Sequence, residues 1–167
     1  MGNKSAHLRS DRKFMFKLRP FIFIALTTAL TLTACNEAKD THPDKPVTKR
    51  NAIFKQFTRT LEPMGLVARE RQDYNPREFL ASALELEKIS TQPWPLFTAD
   101  SNYPPTHAKA DVWAKSSEFK AAQEKYLSSV GQLVKAAQGG DLAIIRPAVN
   151  DVQKSCKSCH NQFRNDS

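Results

Sequence analysis

The sequence is short of the features that mark repetitive, fibrous or membrane-spanning proteins. Glycine and proline together number 15 of 167 residues, too few for a low-complexity chain. No internal repeat is visible, and no segment alternates convincingly with period two, so strands are not expected. The apolar run at 21–32 is too short to cross a bilayer comfortably as a permanent helix. Cysteine occurs only at 35, 156 and 159. Past residue 34 there is one methionine, Met64, and the only histidines besides His160 are His42 and His107. Few side chains are therefore available as metal ligands.

What is abundant is positive charge, with 25 basic residues against 17 acidic and a formal net charge of +8. Its position removes the obvious reading. Residues 1–34 hold six bases (Lys4, Arg9, Arg12, Lys13, Lys17, Arg19) and one acid, Asp11, leaving 19 bases and 16 acids, or +3, for the rest. A nucleic-acid partner is not expected from so small a surplus.

The basic leader and its apolar run have the layout of a secretory signal over 1–34. Leu32-Thr33-Ala34-Cys35 resembles a bacterial lipobox, which would make Cys35 the acylated N-terminus of a lipoprotein anchored at the cell envelope. The alternative is a plain signal cleaved near Ala34, leaving a free thiol. Met15 would give a leader of ordinary length in place of Met1. Asn36, where an aspartate would retain a lipoprotein at the inner membrane, points weakly to the inner leaflet of the outer membrane. Residues 35–46 read as a flexible periplasmic tether and 47–167 as the folded domain.

Four helical patterns fill that domain. The first spans about Val47 to Arg71, with Pro63 expected to kink it or end it early. The second starts at Asn75-Pro76-Arg77-Glu78, an N-cap followed by a capping-box glutamate, and stops at Pro93. The third runs from Ser116 to Gln138 and ends at Gly139-Gly140. Asp141 caps the fourth, whose regular start is expected to be delayed by Pro147. The long connection, Gln92 to Asp111, carries Trp94, Phe97 and Tyr103 and needs packing of its own. The fold class is thus all-α: an antiparallel four-helix bundle with one long crossover loop.

The chemistry is concentrated at Cys156-Lys-Ser-Cys159-His160, the attachment pattern of c-type haem. On a helix these three positions share a face, so two thiols reach one porphyrin's vinyl groups and the imidazole arrives under the iron. Zinc would want a fourth ligand, and a redox dithiol a βαβ context. One covalent haem c with His160 as its iron ligand is the reading taken. The motif lies near the C-terminus, so an upstream helix must supply the far side of the haem.

At this point the chain resembles the cytochromes c′, class II c-type cytochromes, over nearly all of 47–165. The resemblance is carried by Arg50 with Phe54, Pro63-Met64-Gly65, Gln92-Pro93-Trp94, Asp111-Val112-Trp113 with Phe119, Gly140-Asp141-Leu142, and residues 154–160 with Phe163-Arg164. It implies a bundle with haem near one end, commonly a homodimer, and five-coordinate iron that binds NO and CO. It further implies that Arg50 pairs with a haem propionate, that Asn51 touches the haem, and that Phe54 covers the open iron position. Arg164 would stand on the proximal face, and Lys109 and Asp111 at the haem edge. Ordinary alternatives are a solvated charge for Arg50 or Arg164 and plain core for Phe54.

A phenyl ring opposite His160 neither coordinates iron nor donates a hydrogen bond to a bound ligand. NO binding or scavenging is the expected function, with NO able to break the iron–His160 bond and leave Arg164 on the vacated face. The alternative is a lipid-anchored electron carrier with a redox partner protein. Met64 as a sixth ligand remains open, because Pro63 distorts the register. A haem enzyme needs an acid–base group over the iron, and none is expected there.

Overall fold

The computed structural model describes residues 39–165, so the leader, Cys35 and its acylation lie outside the described residues. Within them stand α1 (Pro46–Ala68), α2 (Pro76–Ser90), a short α3 (Asp111–Ala114), α4 (Ser116–Gly139) and α5 (Leu142–Phe163). No strand occurs among the described residues, only an isolated bridge between Ala108 and Arg164. None of these helices is long and apolar enough to cross a membrane.

The helix ends follow local chemistry. Asn75 accepts from the Arg77 and Glu78 amides at 3.2 and 3.5 Å, and its own amide donates to the Glu78 carboxylate at 2.9 Å. Asp141 accepts from the Ala143 amide at 2.8 Å. Gly140 closes α4 at φ 72°, its N–H reaching Ala136 and Ala137 carbonyls. That left-handed turn suits a residue without Cβ.

Two expectations about proline are corrected. α1 continues through Pro63 to Ala68, and α5 begins at Leu142 with Pro147 inside it. Both prolines are exposed, as are Arg59 and Ala143 one turn before them. Each proline frees one carbonyl on the wet side of its helix, where water can satisfy it.

The start of α1 is held by the segment before it. Lys45 offers no side-chain cap. Instead Asp40 accepts the Thr48 amide at 2.8 Å, placing a negative charge at the positive end of the helix. Asp40 also accepts the Tyr103 hydroxyl from the crossover loop. Desolvation works to raise the Asp40 pKa, but hydrogen bonds from Tyr103, Thr48 and His42 outweigh it and hold the carboxyl at about 2. His42 lies 3.2 Å from Asp100 and stacks on Tyr103. The segment from Asp40 to His42 is thus fastened to the crossover loop.

Each long helix packs on two others. α4 lies against α2 and α5, and α1 against α2 and α5. The short connections at 69–75 and 140–141 make each joined pair antiparallel. Leu86, Leu133, Ile145, Val149 and Val152 are sealed in the shared core. Each such side chain contributes roughly 1.5–3 kcal/mol relative to exposure. A second cluster of Val112, Phe119 and Phe163, with Trp94, Phe97 and Trp113 against it, gives the crossover its own packing. It joins the loop to the end of α5.

Replacing Gly140 by alanine forces a Cβ into the left-handed turn at φ 72°. We expect a loss of about 1 kcal/mol in a denaturant titration, with the absorption spectrum unchanged.

Candidate haem site

The last turns of α5 present Cys156, Cys159 and His160. Cys156 packs against the main core and Cys159 against the second cluster, so the pair spans the junction of the two. Neither is in a disulfide. Cys156 and His160 line an open cleft of about 520 Å³ with Gln153, Lys157, Asn161, Arg164 and Asn165. That volume lies in the range of small-molecule and cofactor sites.

Burial pushes the Cys156 thiol up, and burial followed by the neighbouring Cys156 pushes Cys159 to about 11. A redox dithiol would show the opposite, a lowered thiol. His160 is held below its usual range by desolvation first and by Arg164 second, so its ring stays neutral, the form that ligates a metal. Among the described residues no three His, Cys, Asp or Glu side chains converge as a metal-ligand set, which leaves structural zinc without its shell.

Arg164 caps α5, its amide bonded to the His160 carbonyl at 3.0 Å, and it shares the cleft with His160. Lys109 reaches the same rim, Nζ donating to the Asn161 carbonyl at 2.9 Å. Asp111 does not line the cleft. It forms an ion pair with Lys115 at 2.8 Å, because one turn of helix brings the two together. Asn51 is half-buried on α1.

Arg50 is 2 % exposed and holds the crossover loop. Nη1 donates to the Leu96 carbonyl (2.9 Å) and Ser101 Oγ (2.8 Å), and Nη2 to the Ser101 carbonyl (3.0 Å) and Thr106 Oγ1 (2.6 Å). Its guanidinium lies 4.5 Å from the Phe97 ring centroid. The propionate pairing expected from the resemblance is left to the remaining Nε–H. Ser101 and Thr106 carry no sequence signal, since a serine and a threonine in a proline-rich loop look like ordinary turn residues.

Phe54 enters an aromatic group, edge-on to Phe57 (5.4 Å), Trp94 (5.8 Å) and Phe97 (6.3 Å). Met64 is 1 % exposed in the main core. Its neighbour Gly65 stands against Gln153, seven residues and about 10 Å along α5 from His160. Packing therefore takes Met64 away from the iron position. α1 continues as helix through Pro63 to Ala68.

Two buried polar atoms of this region have no partner: Trp94 Nε1 and the Tyr126 hydroxyl. An unmet buried donor costs roughly 1–3 kcal/mol, so such atoms mark where a further group belongs. Tyr126 is pushed up beyond the usual phenol range, by burial first and by Cys156 second, which sets its hydroxyl on the side of the attachment cysteines. The cysteine pair, the neutral histidine, the cleft and the unmet donors fit a covalent haem.

A family model described as Cytochrome C' matches residues 45–164. The chain belongs to the cytochrome c′ family. Members carry covalently attached haem c, and Cys156 and Cys159 are the attachment cysteines of this one. The chain is 27 % identical over 122 residues to cytochrome c' of Alcaligenes xylosoxydans xylosoxydans, covering 73 % of this chain and 94 % of that one. Against cytochrome c' of Rubrivivax gelatinosus it is 33 % identical over 113 residues, covering 65 % and 87 %. Among solved structures it resembles the nitric oxide complex of a cytochrome c prime mutant from Alcaligenes xylosoxidans, with TM-score 0.71 and 26 % identity, covering 77 % of this chain and all of that one. A carbon-monoxide-bound variant from the same organism matches with the same score, identity and coverage.

Arg50 is the residue whose loss should separate loop order from bundle order. Arg50→Met keeps the stem and leaves the acceptors on Leu96, Ser101 and Thr106 unpaired. We expect about 3 kcal/mol lower stability and faster protease cleavage within 92–110, measured by denaturation and limited proteolysis of the haem-loaded protein.

Proposed function

We propose that this cytochrome c′ binds small diatomic gases, nitric oxide above all, at a five-coordinate, high-spin haem. The observation that carries the reading is Phe54: it belongs to an aromatic wall and Met64 is packed away in the core. Bound haem supplies the iron that takes the gas. The chain's part is to hold and select. Cys156 and Cys159 fix the rotation of the group on α5, and the short span to His160 makes that ligand hard to lose. Phe54 crowds the opposite side, where a bulky ring costs an incoming ligand roughly 1–3 kcal/mol. NO binds strongly enough to overcome this, and CO is hindered more. Arg164, one turn past His160, provides a cationic donor on the proximal side. The NO and CO complexes of the two structural neighbours support the choice of ligand class.

We further propose that the mature chain works in the periplasm, held by acyl chains on Cys35, and scavenges NO there. The lipobox-like Leu32-Thr33-Ala34-Cys35 supports this placement. With no histidine or carboxylate among the rings packed around Phe54, we propose a binding role rather than catalysis.

The test is an absorption spectrum of oxidised and dithionite-reduced protein before and after NO. High-spin spectra at rest and a new ferrous NO spectrum are expected, and a low-spin resting spectrum would end the proposal. Phe54→Ala should raise the CO affinity of the reduced protein about tenfold or more, read by CO titration.

A further inference from the structure

Tyr126 has a hydroxyl that its packing does not need. The ring stacks on Phe57 at 5.4 Å and meets Trp94 edge-on at 6.0 Å. A phenylalanine would make both contacts and leave nothing unpaired. The side chain is 5 % exposed, and its oxygen is buried without a partner. Ser129, one turn on along α4, donates to the Tyr126 main-chain carbonyl and does not serve the phenol. A buried hydroxyl kept without a protein acceptor is costly, and the natural resolution is an acceptor from outside the chain. Both rings that touch Tyr126, Phe57 and Trp94, also touch Phe54. The hydroxyl therefore belongs to the same wall as the residue proposed to cover the iron.

We infer that the Tyr126 hydroxyl donates a hydrogen bond to the diatomic ligand, making it the specificity-determining polar point of an otherwise aromatic wall. This rests on the gas-binding reading above and refines it. A donor stabilises a bound ligand in proportion to the negative charge that ligand carries. Tyr126 thus favours the more polar NO over the less polar CO, an effect added to the steric one of Phe54. Trp94 Nε1 is the other buried, unpartnered donor of the wall, and a Trp94→Phe variant separates its contribution from that of Tyr126.

The probe is carbon monoxide on the reduced, haem-loaded protein, read by the infrared stretching band of the bound gas. Tyr126→Phe should move the band to higher frequency and lower the NO-to-CO affinity ratio by about 3- to 10-fold, the worth of one ordinary hydrogen bond. In the unaltered protein, transfer to D2O should displace the same band, and Trp94→Phe should preserve that displacement. A band and ratio unchanged in Tyr126→Phe, or a D2O effect abolished by Trp94→Phe, overturns the assignment. Failure of the unaltered protein to bind either gas would instead bring down the gas-binding reading, and this inference with it.

Discussion

The haem end of the bundle depends on one buried cation. Arg50 projects from the second turn of α1 into the crossover loop and satisfies acceptors spread over eleven residues of it. Desolvation pulls its pKa down, and the nearby Tyr103 and Asp40 push it back. Among the described residues no carboxylate touches the guanidinium directly. It is held by carbonyl and hydroxyl oxygens and by the face of Phe97. Such an arrangement satisfies the cation with fixed dipoles, and it is directional, because a planar guanidinium accepts few loop conformations. With the loop so placed, Trp94, Phe97 and Trp113 are brought together at the mouth of the bundle, and the loop's far end can bond to α5. Lys109 and Asn165 exchange backbone bonds with Phe163 and His107. The attachment helix is thereby held from outside as well as from the core.

The same loop couples the site to the N-terminal segment. Asp40 serves two masters, the first turn of α1 and the hydroxyl of Tyr103. Its low pKa shows that hydrogen bonding has overcome desolvation at this carboxyl. The segment before α1 is therefore part of the haem end of the domain.

The distal wall has a character that a list of residue types conceals. Phe54, Phe57 and Phe97 make it apolar and crowded. Trp94 and Tyr126 add N–H and O–H groups that no other residue takes up. On the proposed gas-binding reading, steric exclusion and directed polarity would act together on ligands of nearly equal size. In a site where size cannot discriminate, charge distribution is the remaining difference to read.

Fold class and attachment chemistry were legible because both rest on local rules. Helical periodicity marked the long helices, Asn75, Asp141 and Gly140 marked their ends, and Cys156, Cys159 and His160 fall on one face at any register of α5. Other features depended on which surface each residue turned toward. Pro63 and Pro147 stay within helices because their freed carbonyls face water. Asp111 is drawn to Lys115, Asp40 is fastened to Tyr103, and Arg50 is committed to a loop about fifty residues away. Tyr126 sits at helical spacing from Phe119, Val130 and Leu133, so its sequence position marks only a core-facing stripe, and packing alone reveals that its hydroxyl has no partner. Sequence determines what neighbours along the chain can do to one another. Burial and long-range hydrogen bonding belong to the assembled bundle, because the same side chain is stable or strained according to what tertiary contact leaves beside it.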